Sequence, residues 1–214
     1  MAPRYLPLLI VSLVLVSLLA GCTGNNQGVA VTPVPTSPPE TPATVQTTVL
    51  PPPEPFPGAL AVGTPFQYGR EDISTEVTVT GVRVTGEYEW WSPQWGKYWN
   101  TTAKKGDQFL FAFVRLVDRG TSRARLPSPA MFVLHGDGDA YIQNVDRDEN
   151  LRIENIDVKQ YDYYFNNSGG WLDPGDSNSV EGFLLYEVPA NLTPDRAYLQ
   201  GTFSSKAVAA WKLG

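Results

Sequence analysis

The sequence of 214 residues predicts an all-β protein, an antiparallel β sandwich that is preceded by a signal peptide and a disordered Pro/Thr-rich linker. Two observations favour the sandwich: after residue 58 the apolar residues come in short runs separated by Gly, Pro, Asn and Asp, and no segment there shows a convincing helical period. The first 58 residues divide into an apolar run and a proline-rich stretch. We therefore expect three parts, residues 1–21, 22–58 and 59–214.

The first part has the pattern of a lipoprotein signal peptide. Arg4 precedes an apolar run from Leu6 to Ala20, which is short for a membrane-spanning helix of about 20 residues and typical of a signal peptide. The run ends in Leu19-Ala20-Gly21-Cys22, which resembles the lipobox at which lipoprotein precursors are cut before a lipid-carrying cysteine. An ordinary signal peptide with an incidental cysteine is the alternative. The sequence predicts a lipid anchor on Cys22 and a protein that faces the outside of a cell membrane.

The second part is predicted to be a spacer. Ten of the 19 prolines lie between Pro33 and Pro57, and proline both fixes φ and removes a hydrogen-bond donor. The expected structure is a disordered, semi-rigid polyproline-like arm. Its threonines resemble those of a glycosylated stalk, and a bare linker is the equal alternative. Either version would hold the third part away from the membrane.

The strands of the third part are predicted from apolar runs and turn signals. Alternation over 76–80 followed by a slip of frame predicts a bulge at Gly81. The run 109–117 is apolar on both faces except at Arg115, which predicts a central strand. The turn 136–139 joins two strands into a hairpin. About seven strands favour a sandwich, and those not yet given are predicted at 130–135, 140–145, 182–188, 198–203 and 207–213.

Two segments of the third part resemble a known family. Lys105–Val114 is similar to the "G-x-x-F-apolar" strand of the telokin-like immunoglobulin domains of bacterial and archaeal surface lipoproteins. Leu172–Asp176 followed by Val180–Pro189 resembles their second hallmark, with Tyr186 where the family usually has Phe. The resemblance implies an immunoglobulin-like sandwich at the cell surface. It implies no catalytic activity, and most members of the family have no assigned function.

The composition excludes several classes of function. With 22 Asp and Glu against 16 Lys and Arg, and no basic block, the chain lacks the clustered cations that nucleic acid requires. One cysteine and one histidine exclude an internal disulfide, a multi-cysteine zinc site and a histidine-rich metal centre. His135 has no nucleophile elbow to act with, so it is interpreted as a turn histidine.

Aromatic residues are concentrated in two clusters. The first holds Tyr88, Trp90, Trp91, Trp95, Tyr98 and Trp99, and the second holds Tyr161, Tyr163, Tyr164, Phe165 and Trp171. The turn 92–96 places Trp95 at a hairpin tip, where we expect the most exposed ring. Exposed rings could stack on a glycan or anchor a protein, and the alternative is that they pack on the sandwich. The predicted ligand-binding residues are Trp90, Trp91, Trp95, Tyr98 and Trp99.

Acidic residues suggest two further sites. Asp137, Asp139, Asp146 and Asp148 stand at alternate positions, as calcium ligands do. The run from Asp146 begins like an EF-hand loop but has Leu151 for the turn glycine and Asp157 for the final Glu, so a solvated acidic loop is the alternative. No other cofactor is expected. A glycosidase would need a carboxylate pair, for which the candidates beside the aromatic clusters are Glu87, Glu89, Asp157 and Asp162.

Three triplets match the Asn-x-Ser/Thr acceptor of N-glycosylation, at Asn100, Asn166 and Asn191, all in predicted loops. Taken together, the features predict a non-catalytic, lipid-anchored, extracytoplasmic surface module that binds a protein or glycan through its aromatic residues. A structural spacer domain, with buried tryptophans, is the first alternative. A carboxylate-based extracellular hydrolase is the second.

Overall fold

A computed structural model describes residues 54–143, 150–161 and 170–214. This part of the chain is all-β, as predicted. It forms fifteen strands, and its only helical elements are three 3₁₀ turns, at Pro129–Met131, Asp176–Asn178 and Pro194–Arg196. Across the same three ranges, no helix is long and apolar enough to span a membrane.

The strands build three main sheets and one short pair. In chain order they are β1 (Leu60–Ala61), β2 (Pro65–Arg70), β3 (Ile73–Thr85), β4 (Glu87–Ser92), β5 (Lys97–Thr102), β6 (Asp107–Asp118), β7 (Ala124–Arg125), β8 (Phe132–Gly136), β9 (Asp139–Tyr141), β10 (Asn150–Ile153), β11 (Ile156–Lys159), β12 (Trp171–Leu172), β13 (Val180–Pro189), β14 (Ala197–Ser204) and β15 (Ala207–Lys212). The central sheet has the order β13-β6-β3-β2, the back sheet β1-β15-β14-β8-β9 and the front sheet β11-β10-β4-β5, while β12 pairs with β7. β1 runs parallel to β15, and the other pairs named here are antiparallel.

The main core lies between the central and back sheets. On β6, the alternate residues Leu110, Ala112, Val114 and Leu116 are fully or almost fully buried in this core. They pack with residues of the back sheet that include Leu134, Leu199 and Trp211. The indole Nε1 of Trp211 donates a hydrogen bond of 2.8 Å to the carbonyl of Thr64, so the largest buried side chain is also satisfied.

The opposite face of the central sheet is also covered. Phe109 and Phe111 on β6 and Phe183 on β13 pack in a second cluster with Leu151 and Ile153 of the front sheet. The two clusters explain why the β6 sequence is apolar on both faces, since a strand buried on both sides needs no polar face. The predicted β sandwich is confirmed, and the front sheet adds a third layer that the sequence did not predict.

The local predictions have mixed outcomes. Val79 pairs with Val114 and Gly81 with Phe113, so Thr80 is the extra residue of the predicted bulge, which is confirmed. β8 begins at Phe132 rather than at residue 130, because Pro129 starts a 3₁₀ turn whose N-cap is Ser128. The predicted hairpin of β8 and β9 is present and is shorter than predicted in its described part.

Residues 150–159 form a hairpin that was not predicted from the sequence. Leu151 and Ile153 are buried in β10 and pair with Val158 and Ile156 of β11. An EF-hand loop ending at Asp157 is therefore not formed, because the burial of two large apolar side chains fixes this segment as a hairpin. The seven predicted strands did not include the two strands of this hairpin or β4 and β5. They also did not include β1, β2, β7 and β12.

Polar contacts satisfy two buried side chains, Asp118 and Tyr186. The carboxylate of Asp118, which is 1% exposed, accepts the backbone N–H groups of Gly120 at 2.8 Å and Ala124 at 2.9 Å. The hydroxyl of Tyr186 donates to the carbonyl of Phe132 at 3.3 Å, and burial raises the pKa of this tyrosine. The family that the sequence resembles usually has Phe at this position, and the hydrogen bond satisfies the additional hydroxyl group of Tyr186.

An ion pair joins the segment before β6 to β13. Lys104 Nζ lies 2.7 Å from Glu187 Oε2, and the Lys104 backbone N–H donates to Glu187 Oε1 at 2.9 Å. The hydrogen bonds from Lys104 lower the pKa of Glu187, and the same pair raises the pKa of Lys104.

Candidate functional site

The β4–β5 hairpin carries the first aromatic cluster. The chain reverses over residues 93–96, with Gly96 at a φ of 57° and its N–H donating to the carbonyl of Ser92 at 2.8 Å. A positive φ is easily adopted by glycine, which explains the residue at the end of the turn. The turn predicted from the sequence is confirmed.

Alternation along β4 sends its aromatic residues to both sides. Tyr88 points inward, is 3% exposed, and has its ring centroid 4.8 Å from that of Phe109 and 5.8 Å from that of Phe111. Trp90 is half-buried against the same cluster. Trp91 points outward and is 40% exposed. Tyr88 therefore attaches the hairpin to the central sheet, while Trp91 faces solvent.

The hairpin tip and β5 expose two more rings. Trp95 is 64% exposed and is the most exposed aromatic side chain in the described ranges, as predicted. Trp99 is 40% exposed, and the Lys97 ammonium lies 4.1 Å from the centroid of its ring. The hairpin thus presents three partly exposed indoles. Tyr88 and Trp90 instead pack on the sandwich, as the alternative prediction expected for the whole cluster.

The outward side of the front sheet, here called the front face, combines Trp91 and Tyr98 with polar groups. Its residues include Glu87, Glu89, Trp91, Tyr98, Asn100, Arg152, Asp157 and Lys159, as the register of β4 with β5 and β10, and of β10 with β11, places them. Residues directly opposite on neighbouring strands share a face of the sheet. Chain segments that are sixty residues apart therefore meet on one surface.

Tyr98 is the centre of a contact network on the front face. Its ring centroid lies 5.1 Å from that of Trp91, in an edge-to-face arrangement. The Arg152 guanidinium stacks 3.7 Å from the centroid of the Tyr98 ring. Asp157 accepts hydrogen bonds from Arg152 at 2.9 Å and from the Tyr98 hydroxyl at 3.3 Å. The hydrogen bond to Asp157 also raises the pKa of Arg152, which keeps the guanidinium charged.

A small polar pocket lies beside this network. It has a volume of about 160 Å³ and is lined by Glu87, Tyr88, Glu89, Asn100, Arg152, Glu154 and Asn155. The Asn100 amide donates to Glu87 at 2.7 Å, and Arg83 lies 3.4 Å from Glu154. The lining offers carboxylate, amide and guanidinium groups whose positions are fixed by these contacts.

The second aromatic cluster is not a single surface in the part that the structure describes. Tyr161 is 2% exposed in the main core and donates its hydroxyl to the carbonyl of Pro127 at 2.7 Å. Trp171 is 43% exposed on β12. Tyr163, Tyr164 and Phe165 lie outside the described residues.

The predicted calcium ligands are only partly described. Asp137 forms an ion pair with Arg196, and Asp139 begins β9. Asp146 and Asp148 lie outside the described residues. Among the residues that are described, no group of three or more His, Cys, Asp or Glu is placed to hold a metal ion.

The remaining predicted sites have separate locations. His135 is the penultimate residue of β8, next to the predicted turn, and its Nε2 lies 2.9 Å from Gln200 Oε1. Asn191 is exposed in the turn after β13, whereas Asn100 lies in β5 and not in a loop as predicted. Asn166, Asp162 and Cys22 fall outside the described residues.

Three residues of the pocket lining were not predicted from the sequence as site residues: Arg152, Glu154 and Asn155. No local signal marks them, because they reach the pocket only through the pairing of β10 with β4. Glu87, Glu89 and Asp157 were selected from the sequence, although as candidates for catalysis. Two of these carboxylates are held by neighbours, Glu87 by Asn100 and Asp157 by Arg152 and Tyr98.

No protein-family model and no curated protein matches the chain. Among solved structures, the yjhA protein of Bacillus subtilis is 17% identical with a TM-score of 0.43, over 72% of this chain and 99% of its own. An uncharacterized β-sandwich protein of Clostridium difficile is 11% identical with a TM-score of 0.39, over 77% and 100%. The ycdA protein of Bacillus subtilis, named a "putative lipoprotein", is 14% identical with a TM-score of 0.37, over 68% and 37%. Such likenesses concern the fold alone, and the telokin-like resemblance stays a prediction.

Proposed function

We propose that this chain is a non-catalytic, lipid-anchored, extracytoplasmic surface module that binds a protein or glycan through the β4–β5 hairpin. The observation that carries the proposal is the exposure of Trp91, Trp95 and Trp99 at 40%, 64% and 40% on one hairpin. Leaving large indoles in water forgoes the stabilisation that their burial would bring. Exposed indoles are typical of surfaces that are covered when a ligand binds; here Trp91 and Trp99 lie on opposite faces of the hairpin, because Trp99 pairs with Trp90, and Trp95 stands at the tip.

The first described residues of the chain pack on the back sheet. Glu54 lies 3.2 Å from Lys212, and the Phe56 ring packs 5.0 Å from His135 and 5.3 Å from Tyr198, on the outer side of that sheet. The front sheet lies on the other side of the central sheet, so these residues do not cover the front face.

The spacer alternative is less consistent with the structure, because it requires buried tryptophans. The hydrolase alternative needs two carboxylates held across a cleft. Glu87 accepts a hydrogen bond from Asn100, and Asp157 accepts hydrogen bonds from Arg152 and Tyr98. Fixed polar groups of this kind also serve a binding surface.

The proposal is tested with the full chain purified in detergent and incubated with cell-wall and surface-coat material of the native host. The variant in which Trp91, Trp95 and Trp99 are all changed to alanine should lose binding, and Trp171→Ala, which removes an exposed indole on β12, should retain it. Equal binding by the triple variant and the wild type would reject the hairpin as the binding element. Mass spectrometry of the native protein tests the anchor, with a lipid-modified Cys22 as its first residue as the expected result.

A further inference from the structure

We propose that the front face binds a neutral saccharide chain, with one sugar ring on Trp91 and hydroxyl groups of a neighbouring unit in the polar pocket. This inference rests on the proposed function and names the ligand class of the same hairpin. It also assigns the contact to the front face rather than to the tip residue Trp95.

The first element of the site is a fixed aromatic platform. Trp91 is 40% exposed, so one part of its ring is buried and the rest is open to a ligand. The edge-to-face contact with Tyr98 at 5.1 Å restrains the indole. The face of an aromatic ring carries negative charge density and attracts the weakly positive C–H groups of a sugar ring. A flat ring of this kind suits the apolar side of a saccharide unit.

The second element is the set of polar groups next to the platform. Glu87, Glu89 and Asn100 line the pocket of about 160 Å³ together with Arg152. Carboxylates accept, guanidinium groups donate and amides do both, which matches the alternating donor and acceptor character of hydroxyl groups. The volume of the pocket accommodates a few hydroxyl groups.

The two elements lie in line. From Glu87 to Trp91 the β4 backbone advances by roughly 13 Å, at about 3.3 Å per residue. Alternate residues of β4 face outward over this length, and Tyr98, which contacts Trp91, is stacked on Arg152, which lines the pocket. The site is therefore elongated along the strand, as the binding of linked sugar units requires.

The charge of the face selects against acidic ligands. Glu87, Glu89 and Glu154 all line the pocket. The cation Arg152 is paired with Asp157, and Arg83 with Glu154. Among the described residues of this surface, the four carboxylates Glu87, Glu89, Glu154 and Asp157 exceed the three cations Arg83, Arg152 and Lys159, which disfavours a polyanionic polysaccharide. A neutral chain meets no such penalty.

The site is also largely ordered before a ligand arrives. Arg152 and Asp157 hold Tyr98, and Asn100 is held by Glu87. Binding then costs little side-chain entropy, which favours measurable affinity for a ligand that offers only weak individual contacts.

The test is a titration of the full chain in detergent with neutral oligosaccharides of glucose, mannose and N-acetylglucosamine, and with an acidic oligogalacturonate as the counterpart. A neutral oligosaccharide should bind and the acidic one should not. Trp91→Ala should weaken binding about tenfold or more, since tenfold corresponds to about 1.4 kcal/mol. Asn100→Ala should weaken it several-fold. Trp171→Ala should bind as the wild type does.

Two results overturn the inference: no binding by any neutral oligosaccharide, or binding that Trp91→Ala and Asn100→Ala leave unchanged. Trp91→Phe, which keeps an aromatic ring, should restore part of the affinity and separates a stacking role from a folding defect. Circular dichroism of each variant checks that the fold is retained. Because the site needs the Asn100 side chain, a glycan on Asn100 in the native protein would also contradict the inference.

Treatment of the native surface material separates this inference from the proposed function. Periodate, which cleaves sugar rings, should abolish binding, and protease should leave it intact. The reverse pattern would identify a protein ligand, which rejects the saccharide and keeps the binding function of the hairpin. Binding that does not depend on any of the hairpin tryptophans would reject both.

Discussion

Replacing Tyr88 with alanine should release the front sheet from the rest of the protein. Tyr88 is 3% exposed and contacts the rings of Phe109 and Phe111, with centroids at 4.8 and 5.8 Å. Truncation of a fully buried aromatic side chain costs about 3–5 kcal/mol, and the two ring pairs contribute about 0.5–1.5 kcal/mol each to such contacts. We expect the free energy of unfolding to fall by about 3–5 kcal/mol, a large share of the stability of an ordinary domain.

Urea unfolding followed by circular dichroism measures this change, and amide hydrogen exchange locates it. Exchange should accelerate most in β4, β5 and β10. Tyr88→Phe keeps the ring and should cost much less, while Trp95→Ala, at a side chain that is 64% exposed, should change stability by about 0.5 kcal/mol or less. A loss below about 1 kcal/mol for Tyr88→Ala, or exchange that accelerates equally in all three main sheets, would refute the conclusion that Tyr88 attaches the front sheet to the central sheet.

Three further predictions concern single residues. Asp118→Ala leaves two buried N–H groups without their acceptor, so urea unfolding should show a loss of about 1–3 kcal/mol, and no loss would contradict the assigned hydrogen bonds. Gly182→Ala places a Cβ 2.5 Å from the backbone nitrogen of the adjoining segment and should cost about 1–3 kcal/mol, whereas Gly86→Ala meets nothing within 4 Å and serves as its control. Because Lys104 lowers the pKa of Glu187 below its unfolded value of about 4.3, the pair stabilises the fold above that pH and the effect is lost as the pH falls through the folded pKa. Glu187→Gln should therefore be less stable than the wild type at pH 7 and equal to it in acid, and a difference that persists in acid would argue against the pair.

The fold was accessible from the sequence where one strand carries its own signal. The run of β6 is apolar on both faces, and this predicted a central strand, which β3 and β13 flank in the structure. What covers the second face could not be read locally. Leu151 and Ile153 provide that cover, but they follow an acidic run that looked like a loop, and two apolar residues in alternation are too short a pattern to predict a strand.

The site was likewise predictable in its local features and not in the contacts that depend on strand pairing. The turn signal at residues 92–96 placed Trp95 at an exposed tip, and the density of aromatic residues marked the hairpin. The contacts of Tyr98 with Arg152 and Asp157 depend on the pairing of β10 with β4, which is a tertiary choice between segments about sixty residues apart. For the same reason, Asn100 was assigned to a loop although it lies in β5, opposite Glu89.

The most direct test of the account is the indole N–H spectrum of the full chain, labelled with ¹⁵N, as surface glycan of the native host is added. The signal of Trp91 should shift with the ligand concentration, while those of buried Trp211 and of Trp171 on β12 should stay in place. Saturable binding that leaves every hairpin indole unmoved would contradict it.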